Sequence, residues 1–241
     1  MEAQFIRNKK AFYKRGWFIA LSIIFILLAP VVIYLGYNFF KIYGQLKSGE
    51  LVMQDPRQIV AEKAEFDMVK LIDESGPRLG PKDAPITIIE FGDFNCPRSL
   101  ESFPIMKEVM AKYPDQVRFF WRNFPVVKES SVDFARGGVC AHRQNKFWEL
   151  HDVFFQTQGI GLGRNLDNLV KQAGLDYEKY KKCSSNSLID AEIRKDVYAG
   201  DEGDVAGTPT FFINGYKIEG PITFDYWQQI IDMFVKIYET K

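Results

Sequence analysis

The sequence has little histidine, little cysteine and no excess of charge of either sign. Two histidines leave too little material for a histidine-rich metal site, and we expect neither a metal nor a cofactor. Three cysteines in 241 residues exclude a small disulfide-rich scaffold, and their odd number leaves at least one thiol outside any internal disulfide. A formal net charge of zero gives no support for nucleic-acid binding through bulk charge. With 46% hydrophobic residues, the chain is not of the disordered class.

Charge is absent altogether between Gly16 and Phe40. At about 1.5 Å per residue, a helix over residues 17–40 would span a hydrocarbon core of about 30 Å. The run is longer than the hydrophobic part of a cleaved signal peptide, and no small-x-small cleavage site follows it. We therefore predict an uncleaved transmembrane signal anchor over residues 17–40, in preference to a buried core helix or a cleaved leader.

Basic residues surround the predicted anchor. Residues 1–49 carry seven basic residues and one acidic residue, whereas residues 50–241 carry 24 basic and 30 acidic residues. The basic residues that precede the anchor are Arg7, Lys9, Lys10, Lys14 and Arg15. By the positive-inside rule, we expect a single-pass protein of the cell membrane with residues 1–16 as a cytoplasmic stub and the remainder outside the cytoplasm, either periplasmic or extracellular. A linker over residues 41–80 would join the anchor to a domain over residues 81–241.

The exported part has the pattern of an α/β domain. The β-branched run Ile86–Phe91 predicts a buried strand, and a helix from Pro97 to about Tyr113 leads to a second strand over residues 116–124. Residues 129–203 show helical periodicity in several segments without a clear strand. A parallel strand–helix–strand unit is therefore followed by a helical insertion.

The C-terminal part predicts a hairpin and a helix. Asn214-Gly215 is a hairpin turn signal between strands over residues 210–214 and 216–219. Residues 223–238 form an amphipathic pattern, with Thr223 as a candidate cap. The hairpin would give the sheet an antiparallel edge.

Cys96 is the candidate for chemistry. It lies at the junction of the first strand and the following helix, immediately before Pro97. The free N–H groups and the positive dipole end of a helix N-terminus stabilise a thiolate, and Arg98 would add positive charge if its side chain reached the sulfur. We predict a reactive thiol here; an inert buried cysteine is the alternative.

A second element lies more than a hundred residues away. Pro209 directly precedes the apolar strand over residues 210–214, and proline is accepted in a sheet chiefly where a strand begins. A cis peptide bond between Thr208 and Pro209 would be a deliberate feature of such a turn. On its own this signal is weak, since most X-Pro bonds are trans.

These segments together resemble one family, the DsbA-like thiol–disulfide oxidoreductases. The resemblance covers about residues 78–240 and implies an α/β, thioredoxin-like fold with a helical insertion, preceded here by one N-terminal transmembrane helix. The segments that carry it, in chain order, are Gly80–Pro85, Glu90–Pro97, Cys140–Trp148, Gly174–Tyr180 with Cys183, and Gly207–Gly215.

The resemblance implies roles for individual residues. Cys96 matches the nucleophilic cysteine, and Thr208 with Pro209 matches the loop that faces it and pairs with the substrate backbone. Glu90 matches a buried acid beneath the active site that aids proton transfer. A carboxylate in an ion pair at the strand end is the structural alternative for Glu90.

The active-site motif departs from the family. The family has C-x-x-C, whereas this chain has Cys96-Pro97-Arg98-Ser99, so Ser99 occupies the position of the resolving cysteine. A hydroxyl cannot form a disulfide, so Cys96 cannot close the usual internal bridge. Exchange through an intermolecular mixed disulfide remains available. The Ser99 hydroxyl could also donate a hydrogen bond to the Cys96 thiolate.

Cys140 and Cys183 both fall in the predicted insertion, 43 residues apart. In an oxidising compartment we expect them to pair, as in family members with an additional structural disulfide, for about 3–4 kcal/mol of stability from loop entropy. Two buried thiols, or one thiol that resolves Cys96, are the alternatives. His142 and His151 match no common zinc spacing and are expected on the surface or on a helix face.

Two functions are compatible with these features. The first is a membrane-anchored, extracytoplasmic thiol–disulfide oxidoreductase or isomerase that acts on cysteines of exported proteins through the single thiol of Cys96, with an unknown thiol or membrane redox partner. The second is a protein that has lost catalysis and uses the same groove to bind peptides, as a chaperone or assembly factor; Ser99 favours it.

Overall fold

The computed structural model describes residues 16–48, 66–158 and 165–239. The basic residues 1–15 and part of the predicted linker, residues 49–65, lie outside the described residues. The chain divides into two units, residues 1–53 and 54–241, and each is described by itself.

The described part of the N-terminal unit is one long helix, α1, over Gly16–Ser48. Its segment Ile19–Phe40 is long and apolar enough to cross a membrane. Pro30 lies inside the helix and does not end it. A 22-residue apolar helical segment is the length that a bilayer core requires, so the helix is a candidate transmembrane span.

The second unit is built on a mixed sheet of five strands in the order β1-β3-β2-β4-β5. The two central strands, β2 and β3, run parallel, while β4 pairs antiparallel with β2 and β5 pairs antiparallel with β4. The strands are β1 Arg78–Leu79, β2 Ile86–Gly92, β3 Val117–Asn123, β4 Thr210–Ile213 and β5 Tyr216–Glu219. The predicted strand–helix–strand unit and C-terminal hairpin are both present.

The hairpin turn between β4 and β5 has the geometry that its sequence favours. Asn214 and Gly215 have φ values of 48° and 94°, and two consecutive residues at positive φ are the requirement of a type I′ turn. The Asn214 side-chain oxygen also accepts a hydrogen bond from the Thr87 N–H at 2.8 Å. The turn is thereby attached to the central strand β2.

Eight helices in the described residues accompany this sheet. Five of them fill the connection from β3 to β4, which is the helical insertion expected from the sequence. The helices are α2 Met68–Leu71, α3 Pro97–Lys112, α4 Ser131–His142, α5 Phe147–Thr157, α6 Leu166–Gln172, α7 Tyr177–Ser184, α8 Ile189–Glu202 and α9 Phe224–Glu239. The thioredoxin-like α/β class with a helical insertion is therefore confirmed.

Side chains on the two faces of the sheet enter separate hydrophobic cores. Ile89 and Phe91 of β2 pack with Phe212 of β4 in one core, which α8 covers. The other core contains Phe94 and Trp121 and continues into the insertion helices. Both faces are covered, which is why every residue of β3 is buried, including Arg118 and Arg122.

Residues 66–79, which the sequence analysis places in the linker, belong to this domain. Leu71 of α2 is buried in the core, and its carbonyl accepts a hydrogen bond from the Arg122 guanidinium at 2.8 Å. Arg78 and Leu79 form β1 and pair with Phe120 and Phe119 of β3. The domain therefore begins by residue 66 within the described part, not after residue 80.

A disulfide joins Cys140 in α4 to Cys183 in α7, with Cα atoms 5.8 Å apart. The bridge links two insertion helices, and Cys140 is completely buried. Neither of these cysteines is available to resolve Cys96, which is the one free thiol of the chain.

Candidate active site

Cys96 lies where strand β2 gives way to helix α3. It is the N-cap residue of α3, with Pro97 in the first turn, where the missing proline N–H removes no helical hydrogen bond. The Cys96 side chain is 5% exposed, whereas the following Pro97 and Arg98 are exposed. The thiol is thus at the edge of the protein surface, at the positive end of a 16-residue helix.

The loop that carries Cys96 is held by Asp93. The buried Asp93 carboxylate accepts hydrogen bonds from the N–H of Asn95 at 2.8 Å, of Val126 at 3.0 Å and of Val127 at 2.9 Å. Asp93 is a site residue that was not predicted from the sequence. Its signal is local, since an aspartate that bonds the backbone two residues onward forms an Asx turn.

Gly92, directly before this loop, lets the Trp121 ring approach the backbone closely. A Cβ atom at residue 92 would lie 2.2 Å from the Trp121 ring, which is closer than atoms can approach. Trp121 stacks on Phe94 with ring centroids 4.8 Å apart. Because Gly92 has no side chain, the stacked rings of Trp121 and Phe94 can pack at the start of the active-site loop.

The Thr208–Pro209 loop meets Cys96 in space. The peptide bond between Thr208 and Pro209 is cis, and the Cys96 thiol donates a hydrogen bond to the Thr208 carbonyl at 3.1 Å. Pro209 immediately precedes strand β4, and its carbonyl accepts a hydrogen bond from the Gly220 N–H at 2.8 Å. Residues 112 positions apart in sequence thus form one site.

Glu90 lies on the face of the sheet that α3 covers. It pairs in register with Trp121 of β3 and Phe211 of β4 and is 3% exposed. Burial raises the pKa of Glu90 from 4.5 to about 8, so the carboxyl is mostly protonated at neutral pH. Within the described residues no group forms a hydrogen bond or ion pair with it, which differs from the ion pair considered as the alternative.

Arg98 and Ser99 point in different directions. The Arg98 guanidinium packs against Gly220, whose missing side chain leaves room for it, since a Cβ there would lie 2.4 Å from the guanidinium. Arg98 therefore reaches the Pro209 side of the site, and no hydrogen bond joins it to the Cys96 sulfur. Ser99 is completely buried, and its hydroxyl has no hydrogen-bond partner in the described part of the chain.

His151 differs from a surface histidine. It is buried on the inward face of α5, among the rings of Trp121 and Phe155. Burial lowers the pKa of His151 despite a hydrogen bond with Asp152, so the imidazole is neutral at neutral pH. The aromatic surroundings, which come from three separate chain segments, could not be read from the spacing of the histidines.

Comparison with known proteins supports the architecture. A family model described as thioredoxin matches residues 73–233. Among solved structures, a thioredoxin-like oxidoreductase from Silicibacter pomeroyi superposes with a TM-score of 0.63 at 22% identity, covering 71% of this chain and 99% of that one. A periplasmic thioredoxin-like protein from Salmonella enterica serovar Typhimurium gives a TM-score of 0.58 at 26% identity, covering 72% and 99%.

The curated relatives include two kinds of protein. A probable disulfide bond formation protein D from Bacillus anthracis is 31% identical over 173 residues, which is 66% of this chain and 77% of that protein. A Na(+)/H(+) antiporter, NhaA 3 of Salinispora tropica, is 32% identical over 148 residues, or 61% of this chain. The chain spans only 22% of that antiporter's length, so the likeness concerns one part of the antiporter chain.

Proposed function

Because the chain belongs to the thioredoxin family, with a DsbA-like fold, we propose that it is a membrane-anchored thiol–disulfide exchange protein that acts through the single thiol of Cys96. The observation that carries this proposal is the contact between the Cys96 thiol and the carbonyl of Thr208, next to the cis Pro209. This arrangement places a nucleophile beside an extended backbone segment. A substrate chain could pair with that segment while its disulfide meets the sulfur.

The first chemical step is attack on a substrate disulfide. The Cys96 thiolate forms a sulfur–sulfur bond with one substrate sulfur, the substrate disulfide breaks, and the second substrate sulfur leaves as a thiolate. Cys96 lies at the N-cap of α3, the positive end of the helix dipole. The proton from the Cys96 thiol passes to solvent or to the carboxylate form of Glu90, whose pKa of about 8 suits both acceptance and release near neutral pH.

The second step separates this chain from dithiol enzymes. Because Ser99 cannot attack the mixed disulfide, release requires a thiolate from outside the motif. If another cysteine of the substrate attacks, a rearranged substrate disulfide forms, Cys96 is restored and no external oxidant or reductant is consumed. Disulfide isomerisation is therefore the reaction that this motif performs without further components. If an external thiol attacks instead, the reaction is the reduction of a mixed disulfide.

Location follows from the N-terminal helix. We place α1 in the cell membrane, with the basic residues before it in the cytoplasm and residues 66–239 on the other side. An oxidising compartment is where the Cys140–Cys183 disulfide would persist. The substrates would then be exported proteins with cysteines.

A test uses the purified full-length chain in detergent micelles. Incubated with a peptide disulfide at pH 8, the wild type should form a mixed disulfide on Cys96, detected by mass spectrometry of the digested protein, and Cys96→Ser should form none. Ser99→Cys should produce an internal disulfide and oxidase activity. Ser102→Cys is the matched control, since it adds a thiol at a buried serine of the same helix outside the C-x-x-C spacing.

An unreactive Cys96 in the wild type would refute the catalytic proposal. The second candidate, a peptide-binding protein without thiol chemistry, is favoured by the absence of a resolving cysteine at position 99. In that case Cys96→Ala should retain affinity for unfolded exported peptides, measured by fluorescence anisotropy. A loss of peptide binding in Cys96→Ala, together with mixed-disulfide formation in the wild type, would exclude the second candidate.

A further inference from the structure

A cavity of about 190 Å³ lies between helices α3 and α5, over the edge of the sheet. Its wall is mostly aromatic rings and methionine side chains, contributed by Phe103, Met106, Met110, Phe119, Trp148 and Phe155. An apolar protein cavity of roughly 150 Å³ is large enough to hold benzene. This cavity therefore has room for one ring with a short substituent.

Four ionisable side chains also line the cavity, and three of them form ion-pair or hydrogen-bond contacts with one another. The Lys107 ammonium contacts the Asp152 carboxylate at 2.5 Å, and the His151 ring nitrogen lies 3.3 Å from the other Asp152 oxygen. The fourth is Glu90, which is 3% exposed and has no hydrogen-bond or ion-pair partner among the described residues. A buried carboxyl that faces a cavity without a partner is costly unless a ligand supplies one.

The charge of the cavity indicates the kind of partner that Glu90 can accept. His151 is neutral, so when Glu90 is ionised the two carboxylates outnumber the one ammonium by a single negative charge. The strand residues that flank Glu90, Trp121 and Phe211, bring no charge. Aromatic ring faces also attract cations. The site is thus suited to a monovalent cation with an apolar body.

We propose that this cavity binds a small organic cation, a single aromatic or similarly sized apolar ring with a primary ammonium group, and that the ammonium contacts Glu90. The ring would pack among the aromatic and methionine side chains of α3 and α5. The proposal goes beyond thiol exchange and does not depend on the chemistry of Cys96. Its failure and the failure of the proposed function are therefore distinguishable.

The test compares two probes of the same size, benzylamine and benzyl alcohol, by isothermal titration calorimetry on the full-length chain in detergent micelles. At pH 8 the wild type should bind benzylamine about tenfold more tightly, because a hydrogen bond to an ionised carboxylate is stronger than one between neutral groups. Heats from the micelles alone are subtracted. A change from pH 8 to pH 6 should lower the affinity for benzylamine about 50-fold, because Glu90, with a pKa of about 8, must lose its proton for the ion pair to form. The affinity for benzyl alcohol should not fall over the same change.

Three variants locate the site. Glu90→Gln should abolish the preference for benzylamine, while Glu108→Gln, the same change at an exposed position of α3, should preserve it. Met110→Trp should lower the affinity for both probes, because the larger side chain would fill the cavity. Should Glu90→Gln fail to fold, the pH dependence of the wild type still tests the role of the carboxyl.

Several outcomes would overturn the proposal. They are equal affinity of the wild type for the two probes, a preference for benzylamine that survives in Glu90→Gln, benzylamine affinity that does not change between pH 8 and pH 6, or no saturable binding of either probe.

Discussion

Glutamine in place of Glu90 should stabilise the folded domain, and the gain should grow with pH. Burial raises the pKa of the folded-state carboxyl from 4.5 to about 8. Between these two values the unfolded chain releases a proton that the folded chain keeps. The free energy of unfolding of the wild type therefore falls as pH rises, by about 1.4 kcal/mol per pH unit. Glutamine has nearly the same shape and titrates in neither state.

The size of this effect follows from the interval between the two pKa values of Glu90. No penalty exists well below pH 4.5, where both states are protonated. The full penalty, about 5 kcal/mol, is reached above pH 8, where the folded state must also ionise. The stability gain of Glu90→Gln over the wild type should therefore rise from under about 1 kcal/mol at pH 5 to about 4 kcal/mol at pH 8.

The assay is urea unfolding of the full-length chain in non-ionic detergent at pH 5, 6, 7 and 8, followed by tryptophan fluorescence. A constant offset between Glu90→Gln and the wild type would report changed packing, so the slope of the difference against pH is the test. Glu108→Gln, an exposed position on α3, controls for the loss of one negative charge. A difference for Glu90→Gln that stays flat from pH 5 to pH 8 would refute the argument that burial keeps this carboxyl protonated.

Three further changes should lower the free energy of unfolding, measured in the same way. The double variant Cys140→Ala/Cys183→Ala should lose about 4 kcal/mol, because the unfolded chain is no longer closed over a 43-residue loop; a loss under about 1 kcal/mol would contradict this. Asp196→Ala should cost about 3–5 kcal/mol, because it removes the carboxylate 2.6 Å from a buried guanidinium of β3, and an unchanged midpoint would count against that ion pair. Gly92→Ala should cost about 1–3 kcal/mol, because its new methyl group would collide with Trp121; wild-type stability would show that the ring can move aside.

The elements of this domain that could be predicted from sequence are those with a pattern of their own. The β-branched run of β2, the proline at the start of α3 and the Asn214-Gly215 turn each carry a local signal, and each of these elements is where the sequence places it. The pairing of Cys96 with the Thr208–Pro209 loop came from the resemblance to the DsbA-like family, since nothing in the local sequence of either segment refers to the other.

Features without a local pattern were not predicted. Strand β1 is only two residues long, so it has no alternation to detect, and it exists because β3 offers an edge to pair with. The burial of Leu71 likewise depends on side chains from β2, β3, β4 and α8, which are distant from it in sequence. The cavity beside Glu90 requires α3 and α5 to lie side by side, which follows from the packing of the insertion and not from either helix alone.

The order of strands in the sheet has a consequence for how the protein is made. Strand β2, which leads directly into Cys96, has β3 on one side and β4 on the other, and Ile88 of β2 pairs with Ile213, near the end of the chain. A ribosome must therefore synthesise the whole helical insertion and β4 before the central strand acquires both neighbours. Contacts that join such distant residues slow folding. During that interval the Cys96 thiol lacks the Thr208 carbonyl that accepts its hydrogen bond in the folded domain.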